Sequence, residues 1–375
     1  MKGALASSRN AGTAVRRPIK LMIVDDSMVA RAVLSRMVAI DSAFEIAAVA
    51  GTAEDAIEAL GQVRVDIILL DLEMPGAGGL KSIPRILAAA NGARVLIVSS
   101  LAEEGAEETV AALAMGAADT LPKPGTGRFN GRFSEILLSK LRALGYADHH
   151  PPRRAPAASA ADNPPTDRRG GPVALRIMPD APLKLVAIGA STGGIHALGT
   201  FFEHLPDRIG VPILVTQHLP APFMPVFARQ LGAAAGRPAT VAEDGMRLVA
   251  DAIFIAPGDA HLTLDRYGDR LVIRLATQRT ASGCLPSVDP MFASIGALLG
   301  AGALGVVLTG MGRDGTEGAA KLVACGGAVI AQDETSSAVW GMPRAVAEAG
   351  LACALLPPAK IARCIASRAE EASCK

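Results

Sequence analysis

Short apolar runs alternate with amphipathic stretches along most of the chain, and one proline-rich segment interrupts this alternation. The runs are rich in Val, Ile and Leu and too short for helices, whereas the stretches between them repeat apolar residues at helical spacing. Strands that alternate with helices form right-handed βαβ units, in which helices cover both faces of a parallel sheet. The pattern therefore predicts an α/β fold.

The proline-rich segment divides the chain of 375 residues into two predicted domains. It covers residues 146–182, has no apolar periodicity and contains the pairs Arg153-Arg154 and Arg168-Arg169. Such a segment cannot bury enough apolar surface to fold, so we predict a linker. We expect a disordered tail at 1–17 and doubly wound parallel sheets in two domains, at 18–145 and 183–370.

The predicted strands follow from the apolar runs. In the first domain they cover residues 19–24, 44–50, 66–70, 94–99 and 119–121. In the second domain they cover residues 185–188, 212–216, 252–255, 306–308 and 328–331. Residues 261–275 differ, because two strand-like runs flank a turn at Gly268, which predicts an antiparallel hairpin.

Charge and cysteine content exclude several classes of protein. The chain has 37 basic and 36 acidic residues and a net charge of +1, so it lacks the broad positive surface that nucleic-acid binding needs. The 5 cysteines form no C-x-x-C pair, which indicates free thiols in a reducing cytosol. The amino-terminal residues have no apolar core typical of a secretory signal, so we expect a cytoplasmic protein.

The uncharged stretch 290–312 has the length of a membrane span. Glycines interrupt it repeatedly, however, and Thr309-Gly310 ends it. We therefore predict a buried helix followed by a buried strand, and no direct insertion into a membrane.

Polar side chains follow the predicted strands of the first domain at the edge where parallel strands end and ligands bind. These residues are Asp25, Asp26, Asp71, Ser99 and Lys123. Three converging carboxylates repel one another unless a hard cation such as Mg²⁺ lies among them. A carboxylate beside Mg²⁺ can attack a phosphoryl group, which Lys123 and Ser99 would then bind. Any one of these acids alone is also consistent with a solvated loop residue.

A G-x-S-x-G motif opens the second domain. Ser191 lies in Gly189-Ala190-Ser191-Thr192-Gly193, between the predicted strand 185–188 and a helical pattern. Such a turn exposes the serine hydroxyl and directs backbone N–H groups towards one point. The motif is equally consistent with a glycine-rich loop that binds phosphate at a helix N-terminus.

A nucleophilic serine needs a base and an orienting acid, and both are available at strand ends. His218 follows the strand 212–216, and His261 is the reserve candidate for the base. Asp314 follows the strand 306–308, and Asp289 competes with it for the role of the acid. The chain order Ser, His, Asp differs from that of α/β-hydrolases, which argues against a general esterase or lipase.

The first domain resembles response-regulator receivers, which have a flavodoxin-like fold. The resemblance lies in Val24-Asp25-Asp26-Ser27, Asp71-Leu72-Glu73-Met74-Pro75-Gly76 and Lys123-Pro124. It implies Asp71 as the phosphorylation site and Asp25, Asp26, Asp71 and the Glu73 carbonyl as Mg²⁺ ligands. It also implies Ser99 and Lys123 as switch residues. Thr120 departs from the family, which usually has an aromatic switch residue at this position.

The second domain resembles chemotaxis protein-glutamate methylesterases. The resemblance lies in Gly-Ala-Ser-Thr-Gly-Gly at 189–194, Gln217-His218, Ser287-Val288-Asp289-Pro290 and Leu-Thr-Gly-Met-Gly-Arg-Asp-Gly at 308–315. It implies a Rossmann-like domain that demethylates glutamyl methyl esters and deamidates particular glutamines. The implied triad is Ser191, His218 and Asp314, with an oxyanion site around Thr192 and Met311. The implied partners are a chemotaxis histidine kinase and methyl-accepting chemotaxis receptors.

The domain order predicts how activity is controlled. A tethered receiver stays at high effective concentration near the enzyme domain. We expect the unphosphorylated receiver to cover the Ser191–His218–Asp314 edge and phosphorylation of Asp71 to release it. The alternative is a receiver joined to a non-enzymatic module that binds an anion.

Overall fold

The structure is a computed structural model that describes residues 17–74, 78–99, 103–123, 131–146 and 174–373. The predicted tail lies outside the described residues except for Arg17, and so does the central part of the predicted linker. The side chain of Ser99 also lies outside the described part, although its backbone is included.

Strands and helices alternate strictly in the first half of the described chain. The elements are β1 (Ile19–Val24), α1 (Met28–Val38), β2 (Phe44–Ala50), α2 (Ala53–Leu60), β3 (Ile67–Leu70), α3 (Gly79–Ala89), β4 (Arg94–Ser99), α4 (Glu103–Ala114), β5 (Asp119–Pro122) and α5 (Gly131–Tyr146). The sheet has the order β2-β1-β3-β4-β5, and its pairs are parallel. This is the flavodoxin-like order, which confirms the predicted fold of this half.

Local sequence signals explain where these elements begin. All four residues of β3 are buried, as expected for a parallel strand covered on both faces. The side chains of Ser27 and Thr52 accept hydrogen bonds from backbone N–H groups in the first turns of α1 and α2. Such caps satisfy amide groups that have no partner within the helix.

The second half forms a larger parallel sheet. Its elements are β6 (Leu185–Ala190), α6 (Gly194–Glu203), β7 (Ile213–Gln217), α7 (Met224–Ala235), β8 (Ala239–Val241), β9 (Ile253–Ile255), β10 (His261–Tyr267), β11 (Arg270–Ala276), α8 (Val288–Leu299), β12 (Ala303–Val307), α9 (Thr316–Ala324), β13 (Ala328–Gln332), α10 (Met342–Glu348), β14 (Ala354–Leu356) and α11 (Pro358–Ser373). Its parallel strands lie in the order β14-β13-β12-β6-β7-β9-β8. The pair β10-β11 forms a separate antiparallel hairpin, as predicted.

The uncharged stretch 290–312 contains most of α8 and all of β12, which confirms the predicted buried helix and strand. Every residue of β12 is buried between its neighbours β6 and β13. Among the described residues, no helix combines the length and apolar character needed to cross a membrane.

Helices α8 and α9 pack so closely that a glycine is required between them. A Cβ atom at Gly318 would lie 2.6 Å from the Cα atom of Asp289. Gly199, within α6, has no neighbouring heavy atom near the corresponding position. These two helical glycines therefore form a matched pair for a test of packing.

We expect Gly318→Ala to lower the free energy of unfolding by about 1–3 kcal/mol or more, because backbone atoms must move apart. Gly199→Ala should be neutral or stabilising by up to about 1 kcal/mol, because alanine loses less entropy in a helix. Urea unfolding of the full chain measures the free energy of unfolding of both variants. Equal stability of the two variants would contradict the packing argument.

Candidate active site and receiver site

The loop after β6 presents Ser191 at the carboxyl edge of the larger sheet. Gly193 adopts a left-handed conformation, with φ of 75°, and allows α6 to begin directly after the turn. The Ser191 N–H donates to the Thr309 carbonyl at 3.0 Å, and the Gln217 amide donates to the Ser191 carbonyl at 3.0 Å. Segments after β7 and β12 thus hold the Ser191 backbone in place.

Strand order brings the predicted triad to one edge, because β6 lies between β7 and β12. Ser191 follows β6, His218 follows β7 and Asp314 lies in the segment after β12. The Nε2 atom of His218 lies 2.8 Å from Asp314 Oδ2. The structure therefore joins the predicted base to the predicted acid.

Asp314 is a buried carboxylate with several donors. The Ser287 hydroxyl donates to its Oδ1 at 2.6 Å, and the Val288 N–H donates to its Oδ2 at 2.8 Å. Burial by itself raises the pKa of Asp314, but the hydrogen bonds from His218, Ser287 and Val288 outweigh it and hold the pKa well below its usual range. Asp314 is therefore ionised where it contacts His218.

The same pair determines the protonation of His218. Burial lowers the pKa of His218, but interactions with Asp314 and then with the Cys284 thiol outweigh it and raise the pKa from 6.5 to about 9. Within the described part of the chain, Ser191 Oγ makes no hydrogen bond to His218. Catalytic hydrogen bonds are often long in unliganded enzymes and shorten when substrate binds.

The competing candidates have other contacts. His261 Nδ1 accepts the Ser287 N–H at 2.9 Å, and its Nε2 lies 2.7 Å from the Gln278 carbonyl, so His261 links two ends of a loop. Asp289 Oδ1 accepts the Gly318 N–H at 2.7 Å. Burial first, and then nearby Asp314, raise the pKa of Asp289 to about 6. The geometry therefore favours His218 as the base and Asp314 as the orienting acid.

Cys284 is a site residue that the sequence argument missed. Donor atoms of Cys284, His218 and Asp314 all lie within 4.8 Å of one another. The cysteine precedes the motif Ser287-Val288-Asp289-Pro290 by three positions, and this was the available signal. Cysteine spacing alone does not distinguish this thiol from the others.

The predicted oxyanion residues contact the receiver half. Thr192 Oγ1 donates to Asp119 Oδ2 at 2.6 Å, and the Gly193 N–H donates to the Ala118 carbonyl at 2.6 Å. Met311 packs against an apolar cluster that contains Val339 together with residues of the receiver half. The receiver therefore covers part of the edge that carries Ser191.

More contacts join the two halves. Arg94 Nε donates to the Ala338 carbonyl at 2.8 Å, and Nδ1 of the exposed His196 lies 3.1 Å from the Ala114 carbonyl. Arg229 pairs with Glu107. The interface therefore combines these polar contacts with apolar packing, since apolar clusters contain residues of both halves.

Carboxylates also converge at the carboxyl edge of the smaller sheet. Oxygen atoms of Asp25, Asp26 and Asp71 lie within 4.8 Å of one another. Lys123 Nζ lies 2.7 Å from Asp71 Oδ2 and 3.1 Å from Asp25 Oδ2. Burial raises the pKa of Asp71, and Lys123 only partly offsets this rise.

This donor set suits a hard divalent cation. The Asp25 Oδ2 atom is buried and pairs with the Lys123 ammonium, and carboxylate oxygens of this kind are ligands that hard divalent cations prefer. Glu73 lies directly beside the cluster, and its N–H donates to Asp71 Oδ1 at 3.3 Å. Thr120, at the position where an aromatic switch residue was expected, is buried in β5.

Known proteins match both halves. The model "Response regulator receiver domain" matches residues 21–128, and the model "CheB methylesterase" matches residues 186–365. Protein-glutamate methylesterase/protein-glutamine glutaminase 2 of Caulobacter vibrioides is 41% identical over 356 residues, which cover 94% of this chain and 99% of that protein. The chain belongs to this methylesterase/glutaminase family.

A second relative agrees with this membership. Protein-glutamate methylesterase/protein-glutamine glutaminase 1 of Paramagnetospirillum magneticum is 38% identical over 359 residues, covering 92% of this chain and 94% of that protein. The crystal structure of the Thermotoga maritima CheB methylesterase catalytic domain is 35% identical and covers 50% of this chain and 99% of that chain, with a TM-score of 0.48. The resemblance that the sequence motifs indicated is confirmed. The receiver domain implies use of a divalent cation and a kinase that donates the phosphoryl group, and the methylesterase domain implies a methylated chemoreceptor substrate in general terms.

The raised pKa of His218 predicts a pH profile. A base accepts a proton only in its neutral form, so the rate at which a phosphonate labels Ser191 should rise about tenfold per pH unit and level off near pH 9. Asp314→Asn should shift this midpoint downwards, because it removes the main interaction that raises the pKa. A labelling profile already level near pH 6.5 would contradict this assignment.

Proposed function

We propose that this chain hydrolyses glutamyl methyl esters on methyl-accepting chemotaxis receptors, under the control of receiver phosphorylation, and deamidates particular receptor glutamines. The observation that carries the proposal is the 2.8 Å hydrogen bond between His218 and Asp314, at the sheet edge that also presents Ser191. The family membership supports the choice of substrate.

The proposed reaction proceeds through an acyl-enzyme. Ser191 Oγ attacks the ester carbonyl while His218 accepts its proton, and the Asp314 carboxylate stabilises the imidazolium that forms. His218 then gives this proton to the leaving oxygen of the ester, which departs as methanol, or to the leaving nitrogen of a glutamine, which departs as ammonia. Water, activated by His218, releases the glutamate. Thr192 and Met311 line the proposed oxyanion site.

The proposed receiver reaction uses the acidic cluster. Asp25, Asp26, Asp71 and the Glu73 carbonyl would hold Mg²⁺, which offsets negative charge on the incoming phosphoryl group. Asp71 accepts the phosphoryl group from a chemotaxis histidine kinase. Lys123, already 2.7 Å from Asp71, pairs with a phosphoryl oxygen, and Ser99 hydrogen-bonds another.

The contacts between the halves support control by occlusion. Asp119 and Ala118 of the receiver bond to Thr192 and to the Gly193 N–H, directly beside Ser191. A receptor helix therefore cannot reach Ser191 while these contacts are in place. Phosphorylation of Asp71 needs to change the balance between docked and open states by only about 1–3 kcal/mol.

The first test concerns the triad. Ser191→Ala should lower methanol release from methylated receptor by a factor on the order of 10⁴ or more, without affecting phosphorylation of Asp71. Asp314→Asn should also cost several orders of magnitude, because it favours the wrong imidazole tautomer.

Asp289→Asn is the matched control. Asp289 is also a buried acid of this region, but it accepts a hydrogen bond from the Gly318 N–H. It should retain far more activity than Asp314→Asn. Near-normal turnover of Ser191→Ala would rule out serine catalysis, and a greater loss in Asp289→Asn would reverse the choice of acid.

The second test concerns the interface. Asp119→Ala removes the acceptor of the Thr192 hydroxyl, so methanol release by the unphosphorylated full chain should rise roughly 5- to 150-fold. Asp55→Ala, an exposed acid in α2, should leave the basal rate unchanged. Both variants should still accept a phosphoryl group at Asp71. An unchanged basal rate in Asp119→Ala would show that this contact does not inhibit the enzyme.

A further inference from the structure

A thiol lies beside the proposed catalytic base, and no step of ester hydrolysis uses it. Cys284 belongs to the loop between β11 and α8. Its Sγ atom, a ring nitrogen of His218 and a carboxylate oxygen of Asp314 are mutually within 4.8 Å. Asp314 is buried and the other two side chains are partly buried, so the cluster is accessible from one side.

Hydrogen bonds hold this loop in place. His261 binds both of its ends, through the Gln278 carbonyl at 2.7 Å and the Ser287 N–H at 2.9 Å. The Cys284 N–H donates to Ser282 Oγ at 3.3 Å. The Ser287 hydroxyl donates to Asp314 at 2.6 Å, so the same segment positions the thiol and the carboxylate.

The three donors suit a borderline-soft divalent cation. Thiolate, imidazole and carboxylate are the side chains that bind Zn²⁺, and three protein ligands leave a fourth position open. Atoms bound to one Zn²⁺ are roughly 3.3–3.8 Å apart, as follows from bond lengths of about 2.0–2.3 Å. Small side-chain movements therefore suffice to bring the three donor atoms to these distances. The thiolate and carboxylate together neutralise the two charges of the cation.

We propose that Cys284, His218 and Asp314 form a Zn²⁺ site whose occupancy inhibits the Ser191 reaction. The inhibition rests on the proposed role of His218 as the base, whereas binding does not. On binding, the thiol proton and the proton shared by His218 and Asp314 pass to solvent. A metal-bound neutral imidazole carries its remaining proton on the other nitrogen, so the ring has no lone pair for the Ser191 proton.

The binding test uses the full chain with Co²⁺ as a spectroscopic probe, in excess Mg²⁺ to occupy the receiver acids. We expect one equivalent of Co²⁺ to produce a thiolate-to-cobalt charge-transfer band, which Zn²⁺ then removes. Cys284→Ala should abolish the band. Cys325→Ala, which alters an exposed thiol at the end of α9, should retain it.

The inhibition test measures labelling of Ser191 by a phosphonate. Zn²⁺ should slow labelling at least tenfold in the unaltered chain and in Cys325→Ala, and a chelator should restore it. Cys284→Ala should need about 100-fold more Zn²⁺, because it removes the softest of three ligands.

Absence of the charge-transfer band in the unaltered chain, or its persistence in Cys284→Ala, would overturn the site. A band without inhibition would overturn the inhibitory role. A band in a protein that shows no esterase activity without metal would support the site and contradict the proposed function.

Discussion

The buried carboxylate of Asp314 is the interaction on which the catalytic half depends. An ionised group inside a protein is stable only when it is paired and hydrogen-bonded, and removing one partner of a buried pair costs about 3–5 kcal/mol. Asp314 meets this condition through His218 after β7 and through Ser287 and Val288 at the start of α8. One charge therefore fixes the relative positions of three segments. It also explains why Ser287 and Val288 belong to the motif that accompanies the triad.

The same sheet edge serves both catalysis and receiver docking. The G-x-S-x-G turn must expose Ser191, and in doing so it exposes the Thr192 hydroxyl and the Gly193 N–H. Both groups bond to the receiver, at Asp119 and Ala118. Polar groups that are arranged for chemistry are thus available for inhibition when substrate is absent. On the proposed function, catalysis and inhibition would compete for one set of hydrogen-bonding groups.

Much of the fold and most of the candidate site could be predicted because both follow from strand ends. The predicted bounds of β1, β2 and β4 match the structure, and the three predicted triad residues lie at one edge because β6, β7 and β12 are adjacent parallel strands. The edge strands β8 and β14 escaped prediction, since three residues carry no measurable period. The choice of Asp314 over Asp289, the position of Cys284 and the Asp119–Thr192 contact depend on side chains far apart in the chain. Periodicity and spacing contain no information about such contacts.

Strand β5 lies between a contact to the catalytic half and a contact to the receiver acids. Its first residue, Asp119, bonds to Thr192, and Lys123, which directly follows the strand, bonds to Asp71. Three residues lie between them, and the four steps of extended chain span roughly 13 Å. Receivers usually carry an aromatic switch residue where this chain has Thr120, which is buried and whose hydroxyl makes no hydrogen bond. A rotating aromatic ring therefore cannot transmit the signal here. On the proposed function, the contacts offer a route that runs from Asp71 through Lys123 and along β5 to Asp119 and Thr192.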